Sequence, residues 1–306
     1  MQKYYVGLLI SIVSVSFASI FILSCQAPPL SIAFYRLLFT TLLLVPFLCV
    51  RKKTREELRN LPLSAFLLMI LIGVILATHF SLWITSLKMT SVASSVILVT
   101  AHPVLVAPVS FYFLKEKLSW LNALGIAISL AGVVVLVVGN YGFASFGLDT
   151  IEGNILAMLG GIAAGLYILG GRKLRKTVST IPYAFVVYAV GAITLFFICL
   201  TFRAPVINLS VTDYGIILLM ALVSGIFGHT LYNWSLGHIR ASVMSVALLG
   251  EPIGSSILAF IVPQVIAVSW VAQIPSFFTI IGGSIILLGI YLTARTVHDP
   301  ELLENV

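Results

Sequence analysis

Residues 229–252 read HTLYNWSLGHIRASVMSVALLGEP, and the interpretation of the whole chain starts from this stretch. Two apolar segments flank a polar turn at 237–240, with His229 inside the first segment and Glu251 inside the second. Residues 79–103, HFSLWITSLKMTSVASSVILVTAHP, repeat the pattern: an early His, small residues, and a polar residue directly before Pro. Ionisable side chains repeated inside apolar segments point to a function within a membrane.

The composition excludes an ordinary soluble domain. Apolar residues make up 60% of the 306 residues and charged residues 9%, with a mean hydropathy of +1.15. A soluble chain of this length needs far more polar surface. The apolar runs are near-continuous and about 18–25 residues long, which indicates membrane-spanning helices rather than the alternating strands of a barrel. Three scattered cysteines indicate neither a disulfide framework nor a metal site.

We therefore predict an all-α integral membrane protein with ten transmembrane helices. A signal peptide is an alternative for the first span, but its apolar run is long for that role and a second span follows after only Pro28 and Pro29. The predicted spans are 4–24, 30–50, 63–87, 91–113, 120–140, 153–171, 182–202, 213–236, 241–262 and 274–294.

Charge placement predicts the topology. With a cytoplasmic N-terminus, fourteen of the 17 basic residues fall on the inside and two on the outside, with Arg36 inside the second span. This strong imbalance places both termini in the cytoplasm, in a multi-pass protein of the cytoplasmic membrane. The basic runs 51–59 and 172–176 are interpreted as topology determinants facing anionic lipid, so no nucleic-acid partner is expected. No Walker or dinucleotide motif occurs, and no cofactor is expected.

The ten spans divide into two five-helix repeats, 1–139 and 151–294, followed by a cytoplasmic tail, 295–306. His79 and His229 occupy corresponding places in the two halves, at an offset of 150 residues. Because five is odd, the second half must enter the membrane from the opposite side. The halves are then inverted repeats, an architecture of secondary transporters with their site near the bilayer midplane.

The runs 83–103 and 234–252, each going from Trp through Ala and Ser to Pro, and the turn 115–117 before Trp120 carry a family resemblance. With the two five-helix units they resemble the drug/metabolite transporter superfamily, in its ten-helix EamA-type branch, over nearly the whole chain. The resemblance implies a permease that exports amino acids or related small metabolites. Such proteins often have a Glu closing the fourth and ninth helices. Glu116 fits the fourth, but 263–265 contains no acid.

We predict a central cavity to which both halves contribute. Pairs such as His79 and Trp83, four residues apart, share one helical face, and faces that mix aromatic, small and ionisable residues suit a small ligand. The alternative is plain helix packing, with glycines allowing close approach and each His bonding a carbonyl. The candidate substrate-binding residues are His79, Trp83, His102, Tyr167, His229, Tyr232, Asn233 and Glu251. Ser91 and Ser95 share the face of His102.

Two ionisable groups define the alternatives inside the membrane. A carboxylate at the depth of Glu251 either pairs with a cation such as Arg36 or holds a proton, which makes protons a candidate coupling ion. Arg36 either extends to the membrane surface or binds a substrate carboxylate. A single intramembrane Arg without Lys argues against phosphorylated substrates.

Pro103 and Pro252 predict helix breaks in the fourth and ninth spans. Because Pro lacks an N–H, we expect the carbonyls of Val99 and Leu248 to lose their helical donors and to become available to other partners.

Three classes of function fit such a chain: a carrier of a small-molecule substrate, a membrane enzyme acting on lipid or isoprenoid, and a structural or sensory subunit. An enzyme of this kind usually needs clustered acids or a metal set, whereas the ten acids here are spread thinly. Inverted repeats around polar midplane residues favour the carrier.

The topology is tested with a cysteine placed at Asn140. We expect an impermeant maleimide to label it in intact cells, because residues 140–151 are predicted to lie outside. Labelling only after the cells are broken open would contradict the topology and the inverted repeat with it.

Overall fold

The structure is a computed structural model that describes residues 1–90, 92–142, 151–265 and 276–295. These ranges contain ten helices long and apolar enough to cross a membrane and no β-strand, which confirms the predicted all-α membrane fold. Ser91, most of the predicted outer segment (143–150) and the predicted tail from residue 296 onward lie outside the described residues.

The spans are close to those predicted, and several consist of more than one segment. The fourth span combines α5 with α6, the eighth joins α10, a π-helical segment and α11, and the ninth joins α12, a 3₁₀ turn and α13. In chain order the segments are α1 (Gln2–Ser24), α2 (Pro29–Val50), α3 (Lys52–Arg59), α4 (Leu63–Met89), α5 (Val92–Thr100), α6 (Pro103–Leu114), α7 (Trp120–Tyr141), α8 (Ile151–Arg175), α9 (Thr180–Thr201), α10 (Val211–Met220), the π segment (Ala221–Thr230), α11 (Leu231–Leu236), α12 (Ala241–Ala247), the 3₁₀ turn (Leu248–Gly250), α13 (Glu251–Val265) and α14 (Phe277–Arg295).

The first basic run forms the short helix α3, which the sequence did not predict. Arg55 of α3 donates to the carbonyl oxygens of Leu48 and Cys49, the former at 3.2 Å. These carbonyls belong to the last turn of α2, where no further helical N–H groups follow. The Arg55 side chain supplies the missing donors.

The π segment sets the direction of the polar residues of the eighth span. The Thr230 hydroxyl donates to the Gly225 carbonyl at 3.0 Å, five residues earlier. Glycines allow close packing here, since a Cβ at Gly225 would lie 2.3 Å from the Thr40 hydroxyl and one at Gly228 would lie 2.8 Å from Val15. A wider helical turn changes the direction in which the side chains after it point, and α11 begins directly after the π segment.

Helix breaks occur beside both prolines. α5 ends at Thr100 and α6 begins at Pro103, while the 3₁₀ turn at 248–250 precedes Pro252. The expectation of a free Leu248 carbonyl is wrong, because that oxygen accepts the Glu251 N–H within the 3₁₀ turn. A 3₁₀ turn shortens the hydrogen-bond spacing by one residue and so supplies a donor that the α-helix would lack.

The packing between helices is preserved when each of the first five spans is exchanged for the corresponding one of the last five. α4 packs against α8 as the π segment packs against α1, and α5 packs against α8 as α13 packs against α1. α2 with α9, and α7 with α14, pair corresponding spans. This packing is that expected of two equivalent halves, and their inverted orientation stays a prediction.

The close backbone approach of α7 and α14 depends on glycine. A Cβ at Gly132 would lie 2.7 Å from the Ile286 nitrogen and 2.8 Å from the Gly282 carbonyl oxygen. Close approach through small residues is a common means of helix association in membranes. Backbone atoms cannot move aside as a flexible side chain can, so a larger residue must push the helices apart.

We expect Gly132→Ala to lower the melting temperature of the purified protein, since overpacking costs about 1–3 kcal/mol. Gly215 of α10 is the matched control, because a Cβ added there would meet no atom within 4 Å. Gly215→Ala should leave stability unchanged or raise it, because Ala favours helix over Gly by up to about 1 kcal/mol. Equal melting temperatures for the two variants would contradict the role of Gly132.

Candidate functional site

Arg36 lies inside the bundle and does not extend to its surface. Its side chain is 2% exposed, and its guanidinium carbon lies 4.5 Å from the centre of the Phe80 ring. Nη1 has no hydrogen-bond partner, and no carboxylate of the described residues is within salt-bridge distance of the guanidinium. The alternative in which Arg36 reaches the membrane surface is therefore wrong.

Phe80 joins the two predicted histidines. Its ring centre lies 5.1 Å from that of His79 and 5.5 Å from that of His229. His79 also stacks on Trp83, with ring centres 5.9 Å apart and planes 7° from parallel. Its Nδ1 is 2.9 Å from the Gly160 carbonyl oxygen. A carbonyl only accepts, so Nδ1 carries a proton and Nε2 of a neutral ring is left as an acceptor.

His102 lies at the helix break of the fourth span, directly before Pro103. It is buried, and its Nδ1 has no hydrogen-bond partner. Its Cβ lies 3.6 Å from the position that a Cβ at Gly165 would occupy. That distance is an ordinary contact, whereas a Cβ at Gly161 would lie 2.8 Å from the Val99 carbonyl oxygen, so it is Gly161 that lets α8 approach the backbone before the break.

Asn233 is the centre of a buried hydrogen-bond network. Its side-chain nitrogen donates to the Tyr167 hydroxyl at 2.7 Å and to the Tyr188 hydroxyl at 3.0 Å. The Thr230 hydroxyl lies 3.4 Å from the Tyr188 hydroxyl. The network joins α8, α9 and the eighth span, and Tyr188 interacts electrostatically with Arg36.

Several buried polar atoms in this region have no hydrogen-bond partner. Nearly all buried polar atoms in proteins have one, so a group of exceptions points to space that water or a polar ligand fills. The atoms are Arg36 Nη1, Trp83 Nε1, His102 Nδ1, the Tyr183 and Tyr232 hydroxyls and Asn233 Oδ1.

Glu251 begins α13, where that helix packs on α1. The Ser16 hydroxyl lies 3.3 Å from the Glu251 carbonyl oxygen, and Gly254 gives Ser16 its space. Glu251 forms no salt bridge with Arg36. His79, His229 and Glu251 are each partly exposed, and the central cavity that they would line stays a prediction.

Glu116, directly after α6, forms a second polar centre near one end of the bundle. Its Oε1 lies 2.7 Å from Arg172 Nε, and the two side chains are 5% and 3% exposed. Its Oε2 accepts the Ala241 N–H at 2.8 Å, while Arg172 Nη1 donates to the Leu236 carbonyl at 3.0 Å. These four residues, here called the Glu116 cluster, join the fourth, sixth, eighth and ninth spans.

The second basic run is only partly at the surface. Lys173 and Lys176 are exposed, but Arg172 and Arg175 are buried. Arg175 Nε donates to the Asn233 carbonyl at 3.0 Å. The interpretation of the whole run as lipid-facing topology determinants is therefore wrong, because two of its members saturate carbonyls of α11 and a buried carboxylate.

His238, in the turn after α11, belongs to the same end. Its ring stacks on Tyr4 with centres 3.7 Å apart. Burial lowers the pKa of His238, the hydrogen bond to the Trp234 carbonyl opposes this, and the charge of Arg175 lowers it further. The ring is therefore neutral at pH 7, which suits stacking beside several cations.

Sequence reasoning missed Tyr188, Thr230, Phe80 and the pairing of Glu116 with Arg172. Hydroxyl and phenyl groups inside apolar spans give no signal of their own before the partner helices are known. The buried pair had a weak signal, an acid and a base each next to a span end. Within the described ranges, no group of three or more His, Cys, Asp or Glu side chains could hold a metal ion.

The chain is similar in sequence to known transporters. The model of the EamA-like transporter family matches residues 2–138 and 151–295. An uncharacterized transporter of Archaeoglobus fulgidus is 27% identical over 282 residues, covering 90% of each chain. The uncharacterized transporter YyaM of Bacillus subtilis is 25% identical over 238 residues, covering 76% of this chain and 74% of YyaM.

A solved crystal structure shares the fold, with a TM-score of 0.77 at 17% identity over 97% of this chain and 99% of that one. The family match covers most of the chain, and this family and the relatives named above are transporters, not enzymes. The protein is therefore a multi-pass membrane transporter that belongs to the EamA-like transporter family.

Proposed function

We propose that the protein moves a small dipolar organic solute, an amino acid or a related compound, across the cytoplasmic membrane by alternating access. The observation that carries the proposal is the buried guanidinium of Arg36, which has no carboxylate partner among the described residues and a free Nη1. Export is proposed from the family resemblance alone, because alternating access runs in either direction with the gradient.

The charge of Arg36 is costly without a ligand. A charged group in an apolar interior needs a partner or coordination, and the Phe80 ring compensates only part of the lost hydration. A solute carboxylate would supply the missing charge and accept hydrogen bonds from the planar fork of the guanidinium. Binding of a monoanion at this position therefore offsets the cost of the buried, unpaired guanidinium charge, which the empty site retains.

Glu251 supplies the opposite charge. The two side chains are not in salt-bridge contact, so in its ionised form Glu251 would pair with the cationic end of a dipolar solute while Arg36 pairs with the anionic end. A simple anion would leave the carboxylate of Glu251 unpaired, and a simple cation would leave Arg36 unpaired. Charge balance thus favours dipolar solutes, of which amino acids are the smallest common example.

The remaining candidate residues suit the side chain of such a solute. His79, Trp83, Phe80 and His229 form an aromatic wall in stacked and edge contacts. The Tyr232 hydroxyl and Asn233 Oδ1 have hydrogen-bonding capacity left over. Small-molecule sites commonly combine an apolar wall with few oriented polar groups.

The Glu116 cluster supports alternating access, because it joins spans of both predicted halves at one end of the bundle. The distribution of basic residues in the sequence supports a cytoplasmic position for this end. We infer that the structure has its cytoplasmic side closed and that opening requires separation of Glu116 from Arg172. The stretch that corresponds to Glu116 in the second half, residues 263–265 at the end of α13, contains no acidic residue that would form an equivalent ion pair.

The substrate class is tested by thermal unfolding of the purified chain with each amino acid, the matching acid without the amine and the matching amine without the carboxylate. Only the amino acid should stabilise the wild type strongly, by about 2.7 kcal/mol at one hundred times its Kd. Arg36→Gln and Glu251→Gln should each weaken binding about 10- to 100-fold, since hydrogen bonds to charged groups contribute about 1.5–3 kcal/mol. The exposed residues Arg59 and Glu152 provide matched controls, Arg59→Gln and Glu152→Gln.

Equal stabilisation by the acid alone would rule out a role of Glu251 in holding an ammonium group. Unchanged binding by Arg36→Gln would reduce Arg36 to a structural residue. In proteoliposomes, Glu251→Gln that still exchanges solute but no longer drives net transport would identify protons as the coupling ion. An unchanged pH profile of net transport would exclude that role.

The closure is tested with Met244→Cys in a background without native cysteines, since Met244 is fully buried in α12 close to the Glu116 cluster. We expect Glu116→Gln to increase maleimide labelling of this cysteine several-fold, because removal of one member of a buried pair typically costs about 3–5 kcal/mol. Glu56→Gln is the control, since its pair with Lys52 is exposed and contributes at most about 1 kcal/mol. A labelling rate equal to that of the parent protein would show that Glu116 does not hold the closed state.

A further inference from the structure

A groove on the outer surface of the bundle lies outside the proposed solute site. It encloses about 530 Å³ between α2, α3, the start of α9, the π segment and α11. Two of its apolar residues, Phe47 and Phe227, are 44% and 51% exposed, so the groove faces the surroundings of the bundle. Its lining residues are Leu44, Phe47, Arg51, Thr54, Ser179, Thr180, Ile181, Ile226, Phe227, Thr230, Leu231 and Trp234.

Polar and apolar lining residues are separated along the groove. Arg51, Thr54, Ser179 and Thr180 lie where α2 ends and α9 begins, which is where these two spans leave the membrane. The rest of the lining is apolar except for Thr230, whose hydroxyl already bonds the Gly225 carbonyl. The groove therefore has one polar end at the membrane surface and an apolar length inside the bilayer.

The polar end favours an anion. No carboxylate of the described residues is within salt-bridge distance of the Arg51 side chain. The Glu57 carboxylate accepts hydrogen bonds from the N–H and the hydroxyl of Ser179 and keeps its negative charge, so Arg51 is the lining residue that an anion pairs with. Lys52 and Lys53 follow Arg51 in the chain and are exposed, but neither lines the groove.

We propose that this groove is a binding site for an anionic phospholipid of the adjoining leaflet, with its phosphate at Arg51 and one acyl chain along Phe47, Phe227 and Leu231. Each acyl methylene removed from water contributes about 0.8 kcal/mol, but any lipid gains this in any bilayer. Selectivity for the anionic headgroup therefore comes from Arg51. Attraction of anionic lipid is worth about 1 kcal/mol for each basic residue near the surface.

The bound chain also has a defined neighbour inside the protein. Thr230 contributes to the groove and, through Tyr188, to the network around Asn233. The acyl chain thus packs directly behind the π segment that carries His229. The lipid site itself does not depend on which solute is transported.

The test titrates the purified full-length chain in detergent with phosphatidylglycerol and with phosphatidylcholine of identical acyl chains, and measures binding by native mass spectrometry. We expect phosphatidylglycerol to bind the wild type more tightly. Arg51→Gln should weaken its binding about fivefold and leave phosphatidylcholine unaffected. Lys53→Gln, the matched control from the same basic run, should retain the preference. Phe227→Ala should weaken both lipids equally.

Three results would overturn the proposal. Equal affinity of the wild type for the two lipids would show that only non-selective lipid covers the groove. An equal loss in Arg51→Gln and Lys53→Gln would assign the preference to diffuse surface charge. Protection of Phe227→Cys from maleimide only when light scattering detects a dimer would assign the groove to a second copy of the chain.

Discussion

The cost of placing charge in an apolar interior governs this structure. Two buried arginines meet that cost in opposite ways. Arg172 is saturated by Glu116 and by the Leu236 carbonyl, at 2.7 and 3.0 Å, so its charge stabilises one arrangement of four spans. Arg36 is equally buried, but no carboxylate of the described residues forms a salt bridge with it, and its guanidinium lies against the face of Phe80 with a free Nη1. A saturated charge fixes a structure, whereas an unsaturated one provides affinity for a ligand.

Small residues place the unsaturated charge at the centre. Gly225 leaves room for the side chain of Thr40, one turn after Arg36, so that α2 packs closely on the π segment. Gly161 leaves room for the backbone at Val99, so that α5 packs closely on α8. These approaches bring polar residues of different spans within hydrogen-bonding range without large apolar side chains between them. In a bilayer, where no hydrophobic force drives helices together, such contacts carry much of the association.

The sequence predicts the ten spans because length and apolar continuity alone determine what crosses a bilayer. It also indicates His79 and His229 as candidate site residues, because their repetition at corresponding positions is visible without a structure. It does not predict that Arg172 and Arg175 are buried while Lys173 is exposed, since basic residues at a span end look alike whether they face water or a carboxylate. Tyr188 and Thr230 stay hidden for a related reason: a hydroxyl in an apolar span becomes informative only when its partner helix is known.

The two polar centres are physically connected through α11, only six residues long. The side chain of Asn233 belongs to the network beside Arg36, while its carbonyl is held by Arg175 and that of Leu236 by Arg172. We expect a solute that draws the Asn233 side chain toward itself to turn α11 and strain these two bonds. The same motion weakens the support that Arg172 receives as it holds Glu116. If both proposals hold, occupation of the proposed site and opening of the proposed closure are coupled through this one short helix.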